Sequence, residues 1–214
     1  MTEPDKSSSS ARPRKCQQCS ATVEGTAVCD FCKTLNPAAA MMDFFSLLGL
    51  AERFDIDPEE LRRKYLALSR HAHPDYHVND NADVRNLHLQ VSASLNEAYQ
   101  TLRDPASRAA YLLERLGGKS SEADKSVPDG FLGTMMMMQE EVQDAVEAGD
   151  AAELARLREV LQTQHDGLMR GVAELFAQHQ QAVICQAVTA GLLEEIRQQL
   201  NAVSYVKKLI DLTR

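Results

Sequence analysis

From Asp43 onward, apolar positions recur at spacings of three and four, and no stretch alternates with the period of two expected of a strand. The pattern predicts a short first helix from Phe44 to Leu50, which Gly49 helps to end. Asp57-Pro58 is a strong helix start: an acid at the cap, proline in the first turn, and Glu59 and Glu60 near the positive dipole end. That helix should run to about His71, with Leu61, Tyr65 and Leu68 as its apolar stripe. Arg63 and Arg70 lie a heptad apart on the opposite side, flanked by Arg62. The next helix is expected from about Ala82 to Leu102, buried through Leu87, Val91, Leu95, Ala98 and Leu102. Asp104-Pro105 then starts another, through Tyr111 and Leu113, closed by Gly117-Gly118.

A polar linker at 119–130 ends in Pro128-Asp129-Gly130, and a second helical region follows. Its first helix should span about Phe131 to Ala148. On a helical wheel Phe131, Met135, Met138, Val142 and Ala145 form a core side, while Leu132, Met136, Met137, Glu140 and Asp144 fall on another. Gly149-Asp150 makes a turn, and Asp150 with Glu153 reads as a capping box. Leu154, Leu157, Leu161, Leu168 and Leu175 mark a long second helix; Leu192, Ile196, Leu200, Val203 and Ile210 mark a third. Three amphipathic helices with a short first connection predict an antiparallel bundle. Tyr205 points away from the Ile196–Val203 stripe, and Cys185, on an apolar helix, reads as a core residue.

The N-terminal segment is different in kind. Residues 1–14 are Ser-rich, carry Pro4 and Pro13, and are expected to be a disordered tail. Residues 15–36 hold Cys16-x-x-Cys19 and, after nine residues, Cys29-x-x-Cys32. Each pair makes a tight turn that aims two thiolates at one point, and two pairs complete a tetrahedron, the pattern of a structural zinc site. Redox dithiols, or an iron or cluster site, are the alternative uses of the same four ligands. So small a segment cannot fold on apolar burial alone, so the metal would supply its stability. Asn36-Pro37 and the alanines after it read as a linker.

Composition narrows the function classes. At 214 residues the chain holds one or two small domains, and a net charge of −8 argues against nonspecific nucleic-acid binding. No apolar run approaches the roughly 20 residues that span a bilayer. The N-terminus is polar, with Glu3 and Asp5 where a secretory or transit signal would not place acids, so the chain reads as soluble and intracellular. No helical His-Glu-x-x-His, nucleophile elbow, Walker loop or dinucleotide fingerprint is present, which points to a non-catalytic protein.

One tripeptide changes the picture. His73-Pro74-Asp75 follows the basic helix and precedes the long one. Proline cannot continue the helix and pushes His73 toward an extended conformation, so the loop presents one carboxylate rigidly beside a positive helix face. In this setting the chain resembles a J domain. The stretch from Ser92 through Asn96, Tyr99, Leu102 and Pro105 to Arg108, Tyr111 and Leu113, the opening Asp43-Phe44-Phe45 with Leu48-Gly49, and the helical region beginning Phe131-Leu132 make it similar to the HscB family of iron–sulfur co-chaperones.

The resemblance covers about residues 42–214 and implies an all-α fold. It would comprise a J-domain helical hairpin over 42–118, the linker, and a client-binding three-helix bundle over 131–214, in an L-shaped arrangement preceded by the zinc module. It implies a partner ATPase chaperone of the DnaK or HscA class, met by His73, Pro74, Asp75, Arg62, Arg63 and Arg70. It also implies an IscU-type scaffold as client, gripped through Leu132, Met136, Met137, Glu140, Asp144 and Tyr205. Ala72 and Tyr76 depart from the tyrosine and lysine common beside the tripeptide, Met137 replaces an acid and Gly133 a methionine. Some members carry a similar N-terminal four-cysteine module. The expected compartment is a bacterial cytoplasm rather than a mitochondrial matrix. The bundle has an alternative role in a generic J protein, as a module for another client or for homodimer formation.

Overall fold

A computed structural model of the chain describes residues 14–16, 18–23, 26–72 and 81–214. His73, Pro74 and Asp75 lie outside the described residues, as do residues 1–13. The described fold is all-α: α1 (Phe44–Leu47), α2 (Pro58–Ala72), α3 (Ala82–Arg103), α4 (Pro105–Arg115), α5 (Phe131–Ala148), α6 (Ala151–Ile184) and α7 (Ala190–Leu212). The cysteine module adds two antiparallel strands of two residues each, β1 (Arg14–Lys15) and β2 (Thr22–Val23). Strands that short leave no period to read. The expected linker at 36–40 is instead a 3-10 turn over Pro37–Met41, started by the Asn36 side chain and seating Ala39 out of solvent.

Acidic caps set the helix starts. Asp43 Oδ1 accepts from the N–H groups of Phe45 and Ser46, Asp57 from Glu59, Asp104 from Ser107, and Asp150 from Ala152 and Glu153. Only half of the capping box at Asp150 forms, because the Glu153 carboxylate turns forward to the Arg156 guanidinium. The first helix stops at Leu47, short of the expected Leu50. Gly49 takes φ +63°, and the Leu50 N–H turns back to the Phe45 carbonyl. Gly149, φ +65°, likewise closes α5 and leaves the short turn into α6.

By contacts the chain divides into two units, 1–52 with 57–100, and 53–56 with 101–214. In the first, Phe45, Leu47 and Leu48 are buried along with Leu61, Val91, Leu95 and Ala98. Tyr65 of α2 stacks on Tyr99 of α3, centroids 4.2 Å apart, and its hydroxyl donates to Asn96 at 2.7 Å. In the second, Phe131, Met135, Val142 and Ala145 of α5 form one core with Leu157 and Leu161 of α6 and Ala202, Val206, Leu209 and Ile210 of α7. Helix α4 packs on α7 and α6. Phe54 stacks on Phe176 at 5.2 Å, and Arg108 lies over the Phe54 ring while donating to the Leu102 carbonyl. Cys185, expected in the core, is exposed: α6 ends there, and the chain reverses through Gln186 at φ +54°.

Candidate functional site

Three features carry the chemistry. The first is the outer face of α2. Burial of Leu61 turns Arg62, Arg63 and Arg70 outward, and all three are exposed. Among the described residues none of the three is in an ion pair. The fourth cation of the helix, Lys64, is held by Glu60 at 3.3 Å and by the Gly49 carbonyl. The three arginines are exposed on this face, while Lys64 braces the α1–α2 loop.

The second is the outer face of α5. The core side of the helix is as the wheel predicts, with Met135 fully buried and Met138 half-buried. Leu132 is 52% exposed, Met136 60% and Met137 65%, and Glu140 and Asp144 continue the face in solvent. Apolar side chains grouped on one face and ending in two carboxylates suit a partner with an apolar centre and a basic rim. Tyr205 of α7 sits beside this face rather than free in solvent. It packs edge-on against Phe131 at 6.0 Å, and its hydroxyl donates to Gln139 Oε1 at 2.8 Å. Gln139 carries no sequence signal; only the α5–α7 packing reveals its role.

The third is the cysteine cluster. Cys16, Cys19, Cys29 and Cys32 bring their sulfurs within 4.8 Å of one another. The two turns repeat one hydrogen-bond pattern. The Ser20 N–H donates to the Cys16 carbonyl and the Cys16 N–H to Ala21; the Lys33 N–H donates to the Cys29 carbonyl and the Cys29 N–H to Thr34. Ser20 and Lys33, each just after the second cysteine of its pair, take φ near +60°. Cys16 and Cys32 are 3.5 Å apart, Cys19 and Cys29 3.7 Å. A tetrahedron of thiolates about 2.3 Å from a central ion has edges of about 3.8 Å, so the four residues fit a metal ion.

The four thiols also perturb one another's acidity. Hydrogen bonds from the Thr34 hydroxyl and N–H, with the Cys16 and Cys19 thiols, outweigh desolvation and bring Cys32 down to about 6. For Cys19 the Ala21 backbone bond works downward, but desolvation and the thiols of Cys32, Cys29 and Cys16 outweigh it, raising it to about 12. Sulfurs this close cannot all ionise unless a cation joins them.

Comparison with known proteins agrees with the geometry. Residues 43–111 match the DnaJ domain family, and residues 127–211 match the family described as the HSCB C-terminal oligomerisation domain. The chain is 35% identical over 163 residues to the co-chaperone protein HscB homolog of Bordetella petrii, covering 75% of this chain and 95% of that one. It is 30% identical over 165 residues to the homolog of Neisseria meningitidis, covering 76% and 99%. Its fold is similar to the crystal structure of the human co-chaperone protein HscB, with a TM-score of 0.74 at 22% identity over 94% of this chain and 96% of that one. The chaperone HscB from Vibrio cholerae gives 0.66 at 26% identity, covering 80% and 95%. A J domain with a basic α2, joined to an HscB-type helical bundle along nearly the whole length of bacterial relatives, places this chain in the HscB family of co-chaperones.

Proposed function

We propose that this protein delivers an iron–sulfur scaffold of the IscU type to an ATPase chaperone of the DnaK or HscA class and stimulates the chaperone's ATP hydrolysis, without chemistry of its own. The observation that carries the reading is the exposed face of α5, where Leu132, Met136 and Met137 lie in solvent opposite a fully packed core side. Methionine is unbranched and polarizable, which suits an adaptable protein-binding surface. Glu140, Asp144 and Tyr205 extend this face as the client grip. On the chaperone side, Arg62, Arg63 and Arg70 steer the approach to an acidic surface and fix its orientation. Asp75, which follows α2 in the sequence, triggers hydrolysis, supported by His73 and Pro74. The four cysteines hold a structural zinc ion, and the compartment is a bacterial cytoplasm.

The central test is a single-turnover ATPase assay with the chaperone and the full chain. Asp75→Asn should abolish stimulation while the circular dichroism spectrum is unchanged; retained stimulation refutes the chaperone assignment. In a pulldown with the scaffold, Leu132→Ala or Met136→Ala should weaken capture. A wild-type chain that captures no scaffold removes the client assignment and leaves the J-domain role standing.

A further inference from the structure

Tyr205 comes to the outer face of α5 from a second helix, and two residues of α5 hold it there. Its ring meets Phe131 edge-on with centroids 6.0 Å apart, and its hydroxyl donates to Gln139 Oε1 at 2.8 Å. Phe131 and Gln139 are eight residues apart in the helix. At 1.5 Å per residue that is about 12 Å along the axis, so the tyrosine bridges two turns of α5. The Phe131 contact, with packing on the bundle core, fixes the ring, and Gln139 fixes its polar tip.

Gln139 stands on the boundary between the two sides of α5. It follows the buried Met135 by four residues and the exposed Leu132 and Met136 by seven and three. The next glutamine of the helix, Gln143, uses its amide within α5, on Glu147 at 3.2 Å, whereas Gln139 reaches across to α7. Gln139 is exposed and Tyr205 half-buried. A hydrogen bond so close to solvent adds little to folding stability, because water replaces either partner. Its larger effect is on orientation. Water satisfies a tyrosine hydroxyl in every rotamer, and Gln139 Oε1 satisfies it in one. An aromatic ring fixed before binding has little side-chain freedom left to lose at an interface.

We propose that Gln139 is a positioning residue of the client grip, holding the Tyr205 ring against α5 in the orientation that the scaffold meets. The proposal rests on the reading of the outer α5 face as the scaffold-binding surface. It adds that Gln139 acts through Tyr205 and not by its own contact with the client. Without the acceptor the ring is free to leave α5, and the ordering that Gln139 supplies in advance has to be supplied on binding. Ordering one side chain is worth roughly two- to tenfold in affinity.

The test is a double-mutant cycle on the full chain, with affinity for a purified IscU-type scaffold measured by isothermal titration calorimetry. Gln139→Met keeps the length of the side chain and removes the acceptor. Tyr205→Phe keeps the ring and removes the hydroxyl. Gln139→Met should weaken binding by roughly two- to tenfold more in the wild-type background than in the Tyr205→Phe background. A merely structural role, or a direct contact of Gln139 with the client, gives the same change in both backgrounds and overturns the proposal. In the free chain, nuclear Overhauser contacts between the Tyr205 and Phe131 rings should weaken in Gln139→Met; unchanged contacts also overturn it. Wild-type binding with equal changes in the two backgrounds removes the positioning role alone. A wild-type chain that binds no scaffold removes the client reading and the positioning role together.

Discussion

At the scale of single residues, Met135 and Met136 are neighbours in sequence with opposite jobs. Met135 is fully buried in the bundle core, and Met136 is 60% exposed. Met135→Ala leaves a cavity and should cost about 2–5 kcal/mol in urea unfolding. Met136→Ala should change stability by under about 0.5 kcal/mol, as surface substitutions do, while reducing scaffold capture. The helical wheel foresaw this split because one face of α5 meets a core and the other does not. Asp124 gives a pH signature. The Ser126 hydroxyl and N–H, then Lys119, hold its carboxyl at about 2, below the ordinary 3.8. A carboxyl lowered in the folded state contributes stability that is fully present above pH 3.8 and lost as the pH falls through about 2. A carboxyl-carbon NMR titration should find its midpoint near 2, and a midpoint near the ordinary value would rule the contacts out. Nothing in the linker sequence announced this, because the contacts depend on how 119–126 folds back on itself.

At the scale of elements, start signals were easier to read than stops and turns. Asp-Pro at 57–58 and at 104–105, and Gly-Asp at 149–150, placed the starts of α2, α4 and α6, since capping is decided by neighbours within a few residues. Asp150→Ala should therefore destabilise the chain by about 1 kcal/mol, read from the urea midpoint. Glu153→Ala should cost much less, because Glu153 serves an exposed pair with Arg156 instead of completing the cap. Misjudged positions cluster where the chain turns. Residues 37–41 form a 3-10 turn that buries Ala39, and α6 ends at the residue before Cys185. A turn inside an apolar stretch leaves no mark in the pattern, and Cys185 looked like core for that reason.

At the scale of the whole molecule, three kinds of stabilisation coexist. The helical units rest on apolar burial, the caps trim their ends, and the cysteine module, with four clustered sulfurs, would rest on the proposed metal ion. Cys16→Ser, or a chelator that strips the proposed zinc ion, should unfold only residues 15–36. Amide signals of that segment should collapse while the thermal unfolding of the α5–α7 bundle stays within a degree or so. Loss of scaffold binding by the same variant would contradict the separation of the modules. The linker at 119–130 also looks different at this scale: Asn201 pins its backbone, and Val127 packs against the bundle core.

The sequence by itself determined the all-α class, the pairing of four cysteines that cluster, the division of α5 into a core side and an outer side, and the membership that the J-domain tripeptide and its flanks suggested. Each of these rests on spacing or on residue chemistry within a few positions. Only the tertiary structure decided that Gln139 holds the Tyr205 hydroxyl, that Lys64 braces a loop while three arginines of the same helix are exposed, and that Arg197 is buried, its Nε and Nη1 without a hydrogen bond among the described residues. In each case the deciding partner is another element or another turn of chain, and periodicity along one helix carries no information about what packs against it.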